Sequence, residues 1–582
     1  MGLDPIEREL AIVKLVADLI VERLHHAGVR RCYGIVGDTL NKIAGAIHRS
    51  PIRWVHVRNE EAGAFAASAD SALTGELAAC AGSAGPGSLH FINGLMDAQR
   101  NRTPIVLIAS QIVRDEIGFD FPQEVDFKAI YGSWTVFCEE VRTPEQAERL
   151  TVMAAQAALA ERGVAVLIVP ADISGQKAEE RGFAVHRTTP IVRPTDAEVQ
   201  RLADVINRGG RIAIYGGAGC EGAHDQVVAL AEKLQAPVAN TSRAKDFLTY
   251  DNPYSVSMTG MIGVRSGYQS VLACDTLILL GCGFAWGQFY PDNATIVQID
   301  IDGRYLGRRH PIEAGATGDI GATIEALLPL LRKRDDDAFL RSMLHLKEKA
   351  FKKLDHAAHD QHTGKPMHPQ YMIETIAEHA DPDAVWTADD GSAVAFCLRH
   401  VQSTGKNRLL CSLLHGTMAA GLSSAIGAKA AFPDRQVIAI LGDGGLAMLM
   451  GELITVQQEK LPIKMAIVNN SSLGFVELEQ RAEGLLPTYT GLENPDFAKI
   501  AEACGYWSRR VEHGEDLEAA VLEWLAQPGP ALLDVVTGRY ELVMPPSIDP
   551  KAAFGMALYS AKAVLAGRSA ELIEMGEQNF LS

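Results

Sequence analysis

Gly442-Asp443-Gly444 and, after 24 intervening residues, Asn469-Asn470 are the residues whose types and spacing point most directly to chemistry. Each group ends an apolar run, Gln436-Val437-Ile438-Ala439-Ile440-Leu441 before the first and Met465-Ala466-Ile467-Val468 before the second. A short apolar run leading into a glycine-rich turn reads as a buried parallel strand that delivers its loop to a ligand. The glycines let the backbone approach a phosphate. The Asp443 carboxylate and the Asn470 amide oxygen are hard donors of the kind Mg²⁺ takes when it also binds a diphosphate.

A second segment, Val57-Arg58-Asn59-Glu60-Glu61-Ala62-Gly63-Ala64-Phe65-Ala66-Ala67, runs from a short apolar strand into an alanine-rich helix. Acids in a first helical turn suit the helix dipole, and Glu61 fits that role better than Glu60. Together the two segments resemble thiamine-diphosphate enzymes, in which a GDG turn is followed at this spacing by NN. The resemblance implies that Glu60 sits against N1′ of the aminopyrimidine and favours the imino tautomer that removes the C2 proton. Burial beside the cofactor is expected to raise its pKa. The family carries Arg-His-Glu where this chain has Arg58-Asn59-Glu60, so Asn59 alters the local proton network.

The elements that must position these residues follow from length and pattern. A chain of 582 residues is expected to form several domains, each with its own core. The net charge of −18 argues against nucleic acid and against simple electrostatic adsorption to anionic lipid. Nine cysteines with no CxxC pair suggest neither zinc nor a disulfide framework, and reduced thiols point to the cytoplasm. Met1 to Arg8 carries acids and no apolar core, so no signal peptide is expected, and no apolar run approaches a membrane-spanning length.

Short apolar strands alternate with amphipathic helices, the pattern of doubly wound parallel sheets in the α/β class. Expected strands include Pro104 to Ala109, Ala165 to Pro170, Ile212 to Tyr215, Thr276 to Leu280 and Thr295 to Ile299. A polar stretch from Gly175 to Thr195 reads as a linker, and a charged one from Arg332 to His368 as a connector. In the connector, His356, His359 and His362 recur beside Asp355 and Asp360. They read either as a metal site or as a solvated face.

In the middle block, Gly216-Gly217-Ala218-Gly219 follows a strand without full GxGxxG spacing. Met261, Ile262, Gly263 and Val264, then Phe284, Ala285, Trp286, Gly287 and Gln288, then Asp300, Asp302 and Asp319, add further strand-end loops. These glycines either make turns only or approach a nucleotide. As a set they resemble the FAD-binding loops of pyruvate oxidases, with the acids available to ribose or adenine. Relatives carry an Arg in place of Gly287.

Over nearly the whole chain the sequence resembles the pyruvate oxidase branch of the thiamine-diphosphate family, and within it the quinone-reducing, acetate-forming pyruvate dehydrogenases of bacteria. The residues that carry this include Gly82-Ser83-Ala84-Gly85-Pro86-Gly87-Ser88-Leu89-His90, Ala447-Met448-Leu449-Met450-Gly451 and Asn470-Ser471-Ser472-Leu473-Gly474-Phe475-Val476. It implies a pyrimidine-binding domain over 1–182, a central FAD-binding domain over 196–335, a connector over 336–368, a diphosphate-binding domain over 369–545 and a helical tail over 546–582. It also implies that the first domain of one subunit meets the last domain of its neighbour, with a homodimer as the smallest active unit and a homotetramer as the expected assembly.

By the same resemblance, Asp443, Asn470 and the Ser472 carbonyl would hold Mg²⁺. Gly416, Thr417, Met418, Gly444, Gly445, Ser471, Leu473 and Gly474 would line thiamine diphosphate, with Met418 as the apolar prop beneath it. Phe475, Val476 and Glu479 match the substrate side, although Glu479 equally suits a solvated helix. His90, Phe121 and Gln123 complete the expected substrate pocket. Pro122 stands where relatives have Phe, so a 2-oxo acid bulkier than pyruvate also fits the pattern. The implied reaction is oxidative decarboxylation, pyruvate to acetate and CO₂, with electrons passing through FAD to a quinone. Gln123-Glu124-Val125-Asp126 is shared with acetolactate synthases, which keeps open a carboligase or a non-oxidative decarboxylase with a structural flavin; His90, commonly Asn in those synthases, favours the oxidase.

In the tail, Phe554, Leu558, Ala561 and Leu565 recur at helical spacing with Lys551, Lys562 and Arg568 on the polar side, and Leu572-Ile573-Glu574-Met575 and Phe580-Leu581 follow. The stripe reads either as a face docked on the enzyme or as an interfacial helix that places the protein on the inner face of the cell membrane.

Overall fold

The computed structural model describes residues 13–359, 366–543, 545–547 and 549–579. Three six-stranded sheets, parallel throughout, organise the chain. The first runs Arg53–His56, Arg31–Gly34, Ala78–Gly82, Ile105–Gln111, Val164–Pro170, Phe137–Glu140 in spatial order. The last repeats that connectivity with Arg408–Leu410, Val385–Ala388, Val437–Gly442, Lys464–Asn469, Ala531–Val536 and Trp507–Val511. The central sheet is wound differently: Ser255–Met258, Val238–Asn240, Ile212–Gly216, Thr276–Leu280, Thr295–Asp300, Ala314–Thr317.

Helices cover both faces, which explains why the strands read as unbroken apolar runs. Val437, Ile438, Ala439, Ile440 and Leu441 are fully buried, and each large aliphatic side chain so buried contributes about 1.5–3 kcal/mol. The expected strands all form, Thr276–Leu280 with the bounds read from sequence and the others shifted by a residue or two. Ligands of open α/β sheets bind beyond the strand C-termini where the strand order reverses. In the last sheet that point lies between Val385–Ala388 and Val437–Gly442, so the Gly442-Asp443-Gly444 turn emerges there. In the central sheet it lies between Ile212–Gly216 and Thr276–Leu280.

The expected linker is pinned along its first part: Lys177–Glu179 pairs antiparallel with Val13–Leu15, and Glu148 accepts from the Arg181 and Phe183 backbone N–H groups at 2.8 and 2.9 Å. The connector contains the helix Ala338–Ala358. Beyond it the His359 Nδ1 lies 2.8 Å from the Asp355 carbonyl oxygen. Asp360 and His362 lie outside the described residues, and among those described no group of His, Cys, Asp or Glu is placed to hold a metal by itself.

Two tail helices, Pro550–Leu565 and Ser569–Asn579, pack on the last domain. The docked face is Gly555, Tyr559 and Ala563, because only glycine fits where a Cβ at 555 would lie 1.7 Å from the Ala482 carbonyl oxygen. The stripe read from sequence faces outward, with Phe554 71 % and Leu565 87 % exposed. Lys562 is exposed and donates to the Gly484 carbonyl at 2.8 Å. Phe580 and Leu581 lie outside the described residues. No helix among the described residues is long and apolar enough to cross a membrane.

The first and last domains meet along the helices Glu60–Thr74 and Ala420–Ala431, both nearly free of large side chains. Small residues let the backbones approach until a Cβ at Gly427 would stand 2.0 Å from the Ala66 carbonyl oxygen. Gly427→Ala should therefore force the helices apart and destabilise the chain by about 1–3 kcal/mol, the usual range for overpacking, read as a lower urea midpoint. An unchanged midpoint would mean that this contact yields freely.

Candidate active site

The Asp443 side chain is buried and ties the two strand-end loops together. Its Oδ1 accepts from the Gly444 N–H at 2.8 Å, and its Oδ2 accepts from the Ser471 N–H at 2.7 Å and from Asn494 Nδ2 at 2.7 Å. Ser471 reaches it because the chain turns there through the left-handed region, φ 54°. Asn470 Oδ1 accepts from the Ser472 N–H at 3.0 Å. The loop is backed by Thr490 to Leu492, whose Thr490 carbonyl accepts from Leu473 N at 2.8 Å. Gly444 leaves a space bounded by Met418 Cε and Leu473 Cδ2, each 3.1 Å from where a Cβ would stand.

This donor set fits Mg²⁺. Burial pushes the Asp443 carboxyl above its usual range despite the backbone N–H groups that favour its charge, and no Lys, Arg or His among the described residues pairs with it. A buried carboxylate in that condition is stabilised by a cation. A metal that takes one carboxylate, one amide oxygen and one backbone carbonyl, and fills its shell with diphosphate, needs no cluster of acids.

Beneath the turn lies Asp389, at the end of Val385–Ala388, which sequence reading missed. Its Oδ1 accepts from the Gly421 N–H at 2.8 Å and its Oδ2 from the Gly442 N–H at 3.3 Å. Burial pushes its pKa up to about 7. Gly445 must be glycine because a Cβ would lie 2.3 Å from Asp389 Oδ2. An apolar strand ending in Asp389-Asp390-Gly391 is the same signal that singled out Gly442-Asp443-Gly444, and it was legible.

On the first domain, Glu60 opens the helix Glu60–Thr74 and is buried. Asn59 caps this helix, its side chain accepting from the Glu61 N–H at 2.9 Å, so the residue that departs from the family has a structural use here. His90 Nδ1 lies 3.1 Å from Glu60 Oε2. A Cβ at Gly87 would lie 3.5 Å from Glu60 Oε1, and one at Gly85 would lie 2.9 Å from Gln123 Cβ, so Glu60, His90 and Gln123 border one glycine-rich loop. Phe121, two residues from Gln123, is 41 % exposed. The segment before Glu60 is held from the last domain: the buried Glu452 accepts from Arg58 N at 3.0 Å and Asn59 N at 2.8 Å.

Asn93 links the same two domains. It donates to Glu61 Oε1 at 2.6 Å and to Thr417 Oγ1 at 3.1 Å, and its Oδ1 lies 2.8 Å from His415 Nε2. Gly416, at φ 70°, donates to the Ser412 carbonyl at 2.8 Å. Thr417, Met418, Gly444 and Leu473 thus stand together with the Asp443 turn. Glu60, His90, Phe121 and Gln123 do not share a cavity wall with Phe475 and Glu479 in the single chain.

That cavity, of about 3250 Å³, opens at the C-terminal edge of the central sheet and runs to the helix Gly474–Ala482. Gly217, Met261, Ile262, Phe284, Ala285, Trp286, Gln288, Asp300, Asp302 and Asp319 line it, as do Gly416, Phe475 and Glu479. Gly216, Gly263, Val264 and Gly287 are not on its wall. Gly216 packs where a Cβ would meet Leu248, and Gly263 where one would meet the Thr259 backbone; Val476 is 44 % exposed at the surface. The buried Asn240 Oδ1 and Thr259 Oγ1, at the ends of neighbouring strands of this edge, have no hydrogen-bond partner. The space and the glycine turns that line it fit a dinucleotide.

Three models of one enzyme family match the chain. Residues 14–130 match the N-terminal TPP binding domain of thiamine pyrophosphate enzymes, 199–327 their central domain and 389–535 their C-terminal TPP binding domain. An uncharacterised 42.6 kDa protein of Pseudomonas amyloderamosa is 46 % identical over 344 residues, 58 % of this chain and 87 % of that protein. Pyruvate oxidase of Lactiplantibacillus plantarum is 29 % identical over 90 % of this chain and 89 % of its own. The chloroplastic acetolactate synthase 1 of Nicotiana tabacum is 30 % identical over 91 % of this chain and 82 % of its own.

Asp443→Ala should weaken Mg²⁺ and thiamine diphosphate together, because the metal would bridge protein and diphosphate. Titration of the cofactor at low and high Mg²⁺ checks this: unchanged cofactor affinity at low Mg²⁺ would remove Asp443 from the site.

Proposed function

The chain belongs to the thiamine pyrophosphate enzyme family, and from that premise we propose that it catalyses oxidative decarboxylation of a 2-oxo acid, pyruvate in the first instance, to acetate and CO₂, with electrons leaving through FAD to a quinone. The observation that carries this reading is the continuous cavity from the glycine turns of the central sheet to Phe475 and Glu479, on the helix that follows the Asn470 loop. On this reading a flavin takes the first part and a 2-oxo acid the second.

Bound thiamine diphosphate supplies the electron sink for loss of CO₂. Asp443, Asn470 and the Ser472 carbonyl would hold its Mg²⁺, and Met418 and Leu473 would hold its apolar part. Glu60 would relay the proton at the cofactor, its Oε2 standing 3.1 Å from His90 Nδ1. Phe475 and Glu479 border the cavity on the side where substrate would enter. On this reading the first domain of a second copy completes the site, with a homodimer as the smallest active unit and a homotetramer as the expected assembly; the place of Glu60 and His90 off that wall in one chain supports it.

Acetolactate synthase activity is the second reading, supported by the Nicotiana tabacum relative and by Gln123 beside Gly85. One experiment separates the two. A yellow preparation should bleach when pyruvate is added anaerobically, and Glu60→Gln should slow that bleaching by roughly 10²–10⁴-fold, the worth of general acid–base catalysis. A protein that stays oxidised while making acetolactate would sink the oxidase.

Quinone reduction calls for contact with lipid, and the outward stripe of Phe554, Leu558 and Leu565, with Ile573 63 % exposed, supports a tail that lies on the membrane surface. The chain is acidic, so apolar burial would dominate and binding should resist moderate salt. Phe554→Glu with Leu565→Glu leaves the docked face intact. It should abolish lipid-stimulated quinone reduction and spare ferricyanide reduction; full lipid stimulation in this variant would make the tail structural only.

A further inference from the structure

Most arginines that line the large cavity and lie close to its carboxylates are already engaged. Arg102 lies 3.7 Å from Asp302 and 4.8 Å over the Tyr305 ring. Arg408 pairs with Glu221 at 3.2 Å and stacks on Phe247. Arg304 pairs with Asp302 at 2.8 Å.

Arg243 differs. It stands in the short helical turn Ser242–Ala244 that follows the strand Val238–Asn240. This strand lies between Ser255–Met258 and Ile212–Gly216. Arg243 therefore lines the cavity between the loops that carry Gly260 and Met261 on one side and Gly217 and Gly219 on the other. Burial lowers its pKa, and the carboxylates that oppose this, Asp97 and Glu221, are committed to other partners. Asp97 accepts from Ser412 Oγ at 2.7 Å and Asn101 Nδ2 at 2.9 Å, and Glu221 holds Arg408. No hydrogen bond or ion pair to the Arg243 guanidinium occurs among the described residues. A shielded guanidinium without a counter-charge is costly unless a ligand supplies one.

We propose that Arg243 anchors the diphosphate bridge of the dinucleotide that occupies the central cavity. A planar fork of N–H donors matches phosphate oxygens two at a time, and the flanking glycine turns let a diphosphate come close to the backbone. The inference rests on reading the central domain as a flavin nucleotide site, and it adds the cation that such a site requires.

Full-length wild type, Arg243→Met and Arg243→Lys titrated with FAD, ADP and riboflavin test it. Loss of a charge-assisted contact corresponds to about a 10- to 100-fold weaker affinity. That loss is expected for FAD and ADP in Arg243→Met, with a smaller one in Arg243→Lys. Riboflavin, which has no phosphate, should bind all three proteins alike. Wild-type FAD affinity should also fall more steeply with salt than that of Arg243→Met. Equal FAD affinity in wild type and Arg243→Met overturns the proposal, and so does an equal loss of riboflavin, which would mark a structural role. If ADP binding depends on Arg243 while FAD binds no variant, the anion subsite stands and the flavin reading falls. A wild type that binds neither nucleotide overturns the subsite. Should Arg243→Met not fold, Arg243→Lys and the salt slope decide: unchanged FAD affinity in that variant, with salt-insensitive binding in wild type, overturns it.

Discussion

A buried carboxylate at a strand end is the constraint on which the rest of this structure depends. Asp389 and Asp443 are both taken out of water, and a charge so placed must be met by donors or a cation. Asp389 recruits the Gly421 and Gly442 N–H groups, and Asp443 the N–H groups of Gly444 and Ser471 with the Asn494 amide. Five loops are drawn to one point. The helix Ala420–Ala431 begins there, the GDG turn is fixed there, and Gly445 follows from the closeness of the Asp389 carboxylate, 2.3 Å from where a Cβ would stand. Burial raises the pKa of both carboxyls, that of Asp389 to about 7; of the two, Asp443 is the one tied to the Asn470 loop, with which it forms the donor set that fits Mg²⁺.

The same winding used twice and a different winding used once divide the labour. The first and last sheets share strand order, and their helices pack through alanine and glycine, so each domain presents a glycine loop next to the other's helix. This is why Glu452, on the last domain, can hold the backbone that leads into Glu60 on the first, and why Asn93 can join Glu61 to Thr417. The central sheet reverses its order one strand further along, and its crevice lies between Gly217 and Gly281, whose loops touch through a hydrogen bond of 3.2 Å from Gly219 N to the Gly281 carbonyl.

Much of this was legible in the sequence because parallel strands buried on both faces cannot hide: an apolar run ending in Gly or Asp marks both a strand and its loop. The Asp443 turn, the Asn470 loop and the strand ends of the central sheet were found in that way. Residues whose role depends on a neighbour distant in sequence were not. Glu452 looks like any helix acid until Arg58 and Asn59 are brought to it, and Arg243 looks like a surface residue until the loops around it close. The tail shows a related difficulty. Periodicity identified a helix with an apolar stripe, yet the docked face was the other one, because the contact with Ala482 requires glycine at 555 and Tyr559 supplies the buried bulk.

Gly263 and Val264 illustrate why a strand-end loop need not present every residue to a ligand. The helix Ser392–His400 starts at Gly391, beside the Asp389 carboxylate, and ends at Arg399, which donates to the Ile262 carbonyl at 3.1 Å and the Gly263 carbonyl at 3.3 Å. Burial lowers the pKa of that guanidinium to about 10, which leaves it charged at neutral pH, so both hydrogen bonds are charge-assisted. The 261–264 loop is thus fastened to the last domain through its backbone. Met261 and Ile262 are left facing the cavity, while Gly263 packs against the Thr259 backbone and the Val264 N–H donates to the Met258 carbonyl at 2.9 Å. One helix therefore joins the Asp389 loop, beneath the Gly442-Asp443-Gly444 turn, to the 261–264 loop at the central cavity.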